Sequence, residues 1–176
     1  MAKVYIKSDE DSDLVKDFLK KYIRQNTHHN LSVHEKNADL CISLFTPEYP
    51  AEQRFTAYLY NNDESMEELA NKIYYQCSKA DIKTKTISKR SIPRDQYEID
   101  FKCPTLCINL TNGSVEIDEE VYALVIGQGL VSYFSPGTVF DTFSVKDKIK
   151  KPGDKSFVNR KYIQEPTSNA KLLFKK

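Results

Sequence analysis

Three histidines, His28, His29 and His34, fall within seven residues, and Cys41 follows a short way downstream. Imidazole and thiolate are zinc ligands, so a metal site can be drawn from this group. Adjacent histidines in a loop seldom aim at one ion, however, and the simpler reading is a surface loop between the first helix and the second strand. Cys103 and Cys107 form a second pair, spaced CxxxC rather than the CxxC of redox pairs. On a strand, residues four apart share a side but stand about 13 Å from end to end, too far for a bridge. These two read as core thiols, and so does Cys41.

Two further groups could recognise a ligand rather than transform one. Tyr49, Phe55, Tyr58 and Tyr60 concentrate aromatic surface in a chain with eleven Tyr and no Trp. Lys83, Lys85, Lys89, Arg90 and Arg94 lie on the polar stretch 79–102. Arg and Lys on the rim of a cleft suit an anionic ligand; the plainer reading is a solvated loop.

At 176 residues, the chain suits one ordinary domain with a full core. A net charge of +1 hides an asymmetry: residues 145–176 carry ten Lys/Arg against three Asp/Glu, leaving −6 on residues 1–144. A basic tail of this kind could hold a polyanion weakly, but the acidic body argues against a dedicated nucleic-acid fold. No apolar run approaches the roughly 18 residues of a membrane helix. The first twenty residues are charged rather than signal-like, so cytoplasmic residence as made is expected, without a membrane partner. The four cysteines do not force disulfides.

The elements that would position these groups alternate. Lys3–Ile6 reads as a strand running into the acidic helix start Ser8-Asp9-Glu10-Asp11. Leu14, Val15, Phe18, Leu19, Tyr22 and Ile23 repeat at helical spacing, with Lys16, Asp17, Lys20 and Lys21 to solvent. Leu40–Leu44 and Pro104–Leu110 are buried strands by their continuous apolarity, and Phe55–Tyr60 is an aromatic one. Ser65 with Glu68 makes a capping box for a helix burying Met66, Leu69, Ala70, Ile73, Tyr74 and Cys77. Asn112-Gly113 is a turn, and Asp118–Phe134 is a strongly apolar helix, either wholly core or partly an interface between copies. The pattern predicts an α/β fold: a mainly parallel sheet flanked by helices and covered on both faces. After the turn signal Ser135-Pro136-Gly137, the segments Val139–Val145 and Ser156–Ile163 predict a β-hairpin. The expected division is therefore 1–135 for the α/β domain and 136–176 for a basic hairpin and tail, capping a sheet edge or docking a partner.

The order and spacing of several segments resemble the zinc-dependent N-acetylmuramoyl-L-alanine amidases of the amidase_3 type. Asn37-Ala38-Asp39-Leu40-Cys41-Ile42-Ser43-Leu44-Phe45 resembles the family's "aDlfISiH" strand, with Phe45 at the zinc-binding histidine. Cys103-Pro104-Thr105-Leu106-Cys107-Ile108-Asn109-Leu110 resembles its "PavLvEiGF" strand, with Asn109 at the catalytic glutamate. Phe55–Tyr60, Glu64–Ile73 and the closing helix Val121–Phe134 follow in family order, the last matching at Tyr122, Ala123, Ile126, Gly129, Leu130, Tyr133 and Phe134. The likeness spans somewhat over half the chain.

That family holds zinc with two histidines and a glutamate and uses a second glutamate as general base. Here Lys7-Ser8-Asp9 stands where the first histidine's "GHGG" turn belongs, and the segment carrying the ligand glutamate is missing. Phe45 cannot ligate a metal, and Asn109 cannot take a proton at neutral pH. Slipping Glu116 into the base position needs a seven-residue shift past the Asn112-Gly113 turn. The resemblance implies a pseudoenzyme: an amidase-like fold without cofactor that binds a cell-wall fragment, an anionic small molecule or a protein partner. Candidate contacts are Tyr49, Tyr58, Lys89, Arg90, Arg94 and Asn109, at the edge where strand carboxyl ends meet loops. The alternative is a divergent zinc amidase whose ligands have moved to His28, His29 and His34. A Lys/Asn/Ile-rich composition suits a Gram-positive bacterium or its phage.

Overall fold

Alternation within the strands sorts side chains onto two faces of one sheet. The computed structural model describes residues 2–46, 54–60, 63–87, 101–111 and 118–138. Among them, β1 (Lys3–Ser8), β2 (Asn30–Leu31), β3 (Leu40–Phe45), β4 (Thr56–Leu59) and β5 (Thr105–Asn109) form a five-stranded sheet in the order β2-β1-β3-β5-β4. The first four strands in that order run parallel, and β4 is antiparallel to β5. The mainly parallel α/β architecture is thus as the sequence predicts.

The helices are α1 (Asp13–Asn26), α2 (Glu67–Lys79) and α3 (Glu119–Phe134). All three contribute to one core with Val4, Ile6, Ile42, Leu44, Ala57, Leu59, Leu106 and Ile108. The alternate strand positions belong to a smaller cluster of Cys41, Phe45, Phe101 and Cys107, flanked by Tyr5, Tyr58 and Tyr60.

Helix α3 is the centre of the larger core. Every residue from Glu120 to Val131 is buried, so it lies in contact with protein on all sides, as a helix apolar all round must. This places it in the core rather than at an interface through Val131. Two glycines let its neighbours approach. A Cβ at Gly127 would stand 2.3 Å from the Tyr22 ring on α1, and one at Gly129 would stand 2.4 Å from Ile73 Cγ1 and 2.8 Å from Ile73 Cα on α2.

Several local expectations need correction. The helix before α2 is capped not by Ser65 but by Asp63, which accepts from Ser65 N–H (3.0 Å) and from the Ser65 hydroxyl (2.6 Å). A carboxylate one short turn upstream is the stronger acceptor, and it draws the serine away from the forward bond. Leu14 is 51 % exposed, because the buried face of α1 centres on Val15, Leu19, Tyr22, Ile23 and Asn26. Residues 28–34 are not loop throughout: Asn30 and Leu31 pair with Lys3 and Val4. Beyond α2, Phe55 bridges Thr84, so the polar stretch starts as an added edge to the sheet. The predicted turn after α3 is present, closed by Thr138 N–H on Ser135 O with Gly137 at φ +93°. The hairpin segments, the basic tail, Asn112-Gly113 and Glu116 lie outside the described residues.

The Gly129 contact yields a test. Ala normally gains about 0.5–1 kcal/mol over Gly in a helix, but here its methyl would push into the backbone of α2. Gly129→Ala is expected to lower stability by about 1–3 kcal/mol, read as a reduced urea midpoint with unchanged slope. An unchanged or higher midpoint would show that α2 and α3 are not this close.

Candidate functional site

The carboxyl ends of parallel strands are where open α/β sheets bind ligands. Here β1, β3 and β5 end side by side: Ser8 pairs with Leu44, and Phe45 pairs with Asn109. Asn109 in turn faces Thr56 at the start of β4. The two positions singled out by the resemblance, Phe45 and Asn109, are therefore immediate neighbours at this edge.

Asp9 closes the edge from the β1 side. Its Oδ1 accepts from Ser12 N–H at 2.9 Å, capping the short turn that leads into α1. Its Oδ2 accepts from Thr46 N–H at 2.7 Å, just beyond the end of β3. Its own N–H donates to Leu44 O, and the Ser12 and Thr46 hydroxyls lie 3.1 Å apart. A carboxylate at a helix start satisfies both the open N–H groups and the dipole. The sequence marks Asp9 as a helix start; its reach to Thr46 carries no local signal.

Phe45 is 5 % exposed, and its ring lies 5.9 Å from that of Tyr58 on β4. Asn109 is 2 % exposed, and its Oδ1 accepts from Thr111 N–H at 3.0 Å. Nearby, Thr56 and Thr111 hydroxyls both donate to Arg54 O. Lys7 extends along the same sheet face, its Nζ 5.5 Å from the centre of the Phe101 ring, which meets Tyr60 edge-on at 4.9 Å. Of the predicted contacts, Tyr58 and Asn109 are thus brought together with Phe45. Tyr49, Lys89, Arg90 and Arg94 lie outside the described residues.

The histidines sit elsewhere. His28 and His29 precede β2, at the amino edge of the sheet. His29 Nδ1 accepts from Ala2 N–H at 3.2 Å, and its ring lies 4.1 Å from Phe134 at the end of α3. His34 leads into the turn Glu35–Asn37, where Glu35 accepts from Lys102 N–H ahead of β5. Among the described residues no three His, Cys, Asp or Glu side chains gather as metal ligands. His28, His29 and His34 therefore form no three-ligand group, and His29 is held at the amino edge by its contacts with Ala2 and Phe134.

The thiols are free, with Cys41, Cys77 and Cys107 buried and Cys103 half-buried. Burial pushes Cys107 up to about 12, against the pull of Lys7 and Ser43, and raises Cys41 and Cys77 as well. Such thiols are poor nucleophiles and fit the core reading.

Two predictions follow the geometry of the two edges. Asp9→Ala removes a cap and a bond between elements, and is expected to cost about 1–3 kcal/mol, measured by urea denaturation. A change within error would mean the Asp9 network does not hold the edge. Burial, then nearby positive charge, holds His29 below its ordinary value of 6.5. The unfolded chain then binds the proton more readily, so stability is full above about 6.5 and falls as pH drops towards the folded value. His29→Gln should flatten that slope in pH-dependent melting; an unaltered slope would exclude His29 as its source.

No protein-family model matches the chain, and no curated protein matches it in sequence. Solved structures do match in fold. The catalytic domain of CwlV, an N-acetylmuramoyl-L-alanine amidase from Bacillus (Paenibacillus) polymyxa var. colistinus, aligns with TM-score 0.56 at 13 % identity, covering 76 % of this chain and 98 % of that one. The CwlD amidase of Clostridioides difficile, solved in complex with the GerS lipoprotein, aligns with TM-score 0.56 at 13 % identity, covering 77 % of this chain and 99 % of that one. The fold is that of the N-acetylmuramoyl-L-alanine amidase catalytic domains.

Proposed function

We propose that this chain is a non-catalytic member of the amidase-like folds, a pseudoenzyme that binds at the carboxyl edge of its sheet. One observation carries the reading: the residues at that edge are spent on structure. Asp9 bonds Ser12 and Thr46, Phe45 is buried beside Tyr58, and Asn109 accepts from Thr111. A phenyl ring offers a metal no electron pair, and a carboxamide takes no proton at neutral pH. Such an edge can recognise shape and hydrogen bonding without activating water, and it needs no zinc.

The ligand class follows from the fold likeness and is a cell-wall fragment or small anionic compound, with a protein partner as the other occupant. The CwlD amidase, which shares the fold, is found with the GerS lipoprotein, which supports an assembly role as compatible with this architecture. Among the described residues no helix is long and apolar enough to cross a membrane.

The test is calorimetric titration of the full chain with N-acetylmuramoyl-L-alanine, followed by mass analysis of the recovered compound. Saturable binding with the compound intact, with or without added zinc, is the expected result. Release of L-alanine would overturn the non-catalytic reading. Absence of binding would remove the cell-wall fragment as ligand.

A further inference from the structure

Helix α3 is buried all round from Glu120 to Val131, but only three of its sides have a described neighbour. Successive residues turn by about 100° around a helix, so Gly127 and Gly129 point to opposite flanks. Gly127 meets Tyr22 of α1, and Gly129 meets Ile73 of α2. Tyr122 stacks on Phe55, which leads into β4, so the side carrying Tyr122, Ile126 and Leu130 faces the sheet. The fourth side carries Val121, Leu124, Gln128 and Val131 and faces away from it. With α1 and α2 on the flanks and the five strands beneath, no described helix or strand is left to lie over these residues. All four are nevertheless buried, Gln128 at 4 % exposure. The middle helix of a single layer on a sheet ordinarily keeps this stripe polar and wet. Gln76 is a second sign of the same cover. Ile73 faces α3, and Tyr74 faces the sheet, where its hydroxyl accepts from Ala57 N–H, so Gln76 lies on the α3 side of α2 and away from the sheet. It is 3 % exposed, and its Oε1 has no hydrogen-bond partner among the described residues.

We infer that residues 139–145 of this chain run back along α3 and cover its outer face. The turn closed by Thr138 N–H on Ser135 O reverses the chain at the end of α3 and sets it at that helix's own terminus. Seven extended residues span about 23 Å, and the sixteen residues of α3 span about 24 Å. Val139, Phe140, Phe143 and Val145 supply apolar side chains for the contact. A backbone N–H of the segment supplies the donor that Gln76 lacks. The other stretches outside the described residues are tied at both ends. Residues 47–53 and 61–62 are short links on either side of β4, and 112–117 join the end of β5 to the start of α3. Residues 88–100 lead to Phe101, in the cluster on the opposite face of the sheet. The boundary expected at residue 135 then separates no two domains, because the segment after it completes the layer built on α3.

The experiment uses the full wild-type chain with labelled Val and Leu methyl groups, assigned by backbone connectivity. Proton–proton contacts are recorded between those methyls and aromatic rings. Contacts from the Phe140 and Phe143 rings to the methyls of Val121, Leu124 and Val131, within one molecule, are the expected result. Phe143→Leu is expected to remove the Phe143 contacts and leave those of Phe140. The same contacts seen only between labelled and unlabelled copies in a mixed sample would make a second copy the occupant and overturn the inference. Methyls of Val121, Leu124 and Val131 that touch neither ring would overturn it as well. None of these readouts depends on ligand binding, so the reading of the carboxyl edge stands or falls separately.

Discussion

The enclosure of α3 is the constraint on which the rest of the molecule depends. A helix buried from Glu120 to Val131 cannot slide, because α1 meets it at Gly127 and α2 at Gly129. Each fully buried Val, Leu or Ile there contributes about 1.5–3 kcal/mol, and the same helix contributes to the core that carries the strand residues of one sheet face. Fixing that face fixes the register of β3 against β5, and so the side-by-side ends that place Phe45 next to Asn109.

On the proposed reading, the groups at that edge serve structure rather than catalysis. Catalytic edges leave polar groups under-satisfied so that they can act on substrate. Here the Asp9 carboxylate is consumed by two backbone N–H groups from different elements, and an aromatic ring occupies the end of the central strand. Asn109, paired in register with Phe45, likewise accepts a hydrogen bond from Thr111 N–H.

Much of this is legible in the sequence where the signal is local. The continuous apolar runs Leu40–Phe45 and Thr105–Asn109 declare buried parallel strands, and the all-round apolar pattern of Glu119–Phe134 declares a central helix. The ordered likeness to amidases points to Phe45 and Asn109, which the register places in contact. What is not legible is tertiary. Asn30 and Leu31 are a strand only because Lys3 and Val4 lie beside them. Asp63 outcompetes Ser65 as a cap through a difference in acceptor strength that a motif does not encode. The bond from Asp9 to Thr46 crosses 37 residues of chain, and the close approach at Gly129 is set by Ile73 on another helix. His28, His29 and His34 look like a ligand set because they are near in sequence, while contacts to Ala2 and Phe134 commit His29 to the amino edge.

The central claim is that this amidase-like edge works without a metal, and zinc stoichiometry tests it most directly. The protein would be prepared without a histidine tag, incubated with zinc, freed of excess and weighed intact under native conditions by mass spectrometry. A mass equal to the bare chain is the predicted result. One zinc per chain, lost on adding a chelator together with a change in the signals of the carboxyl edge, would contradict the account and restore the site to hydrolytic chemistry.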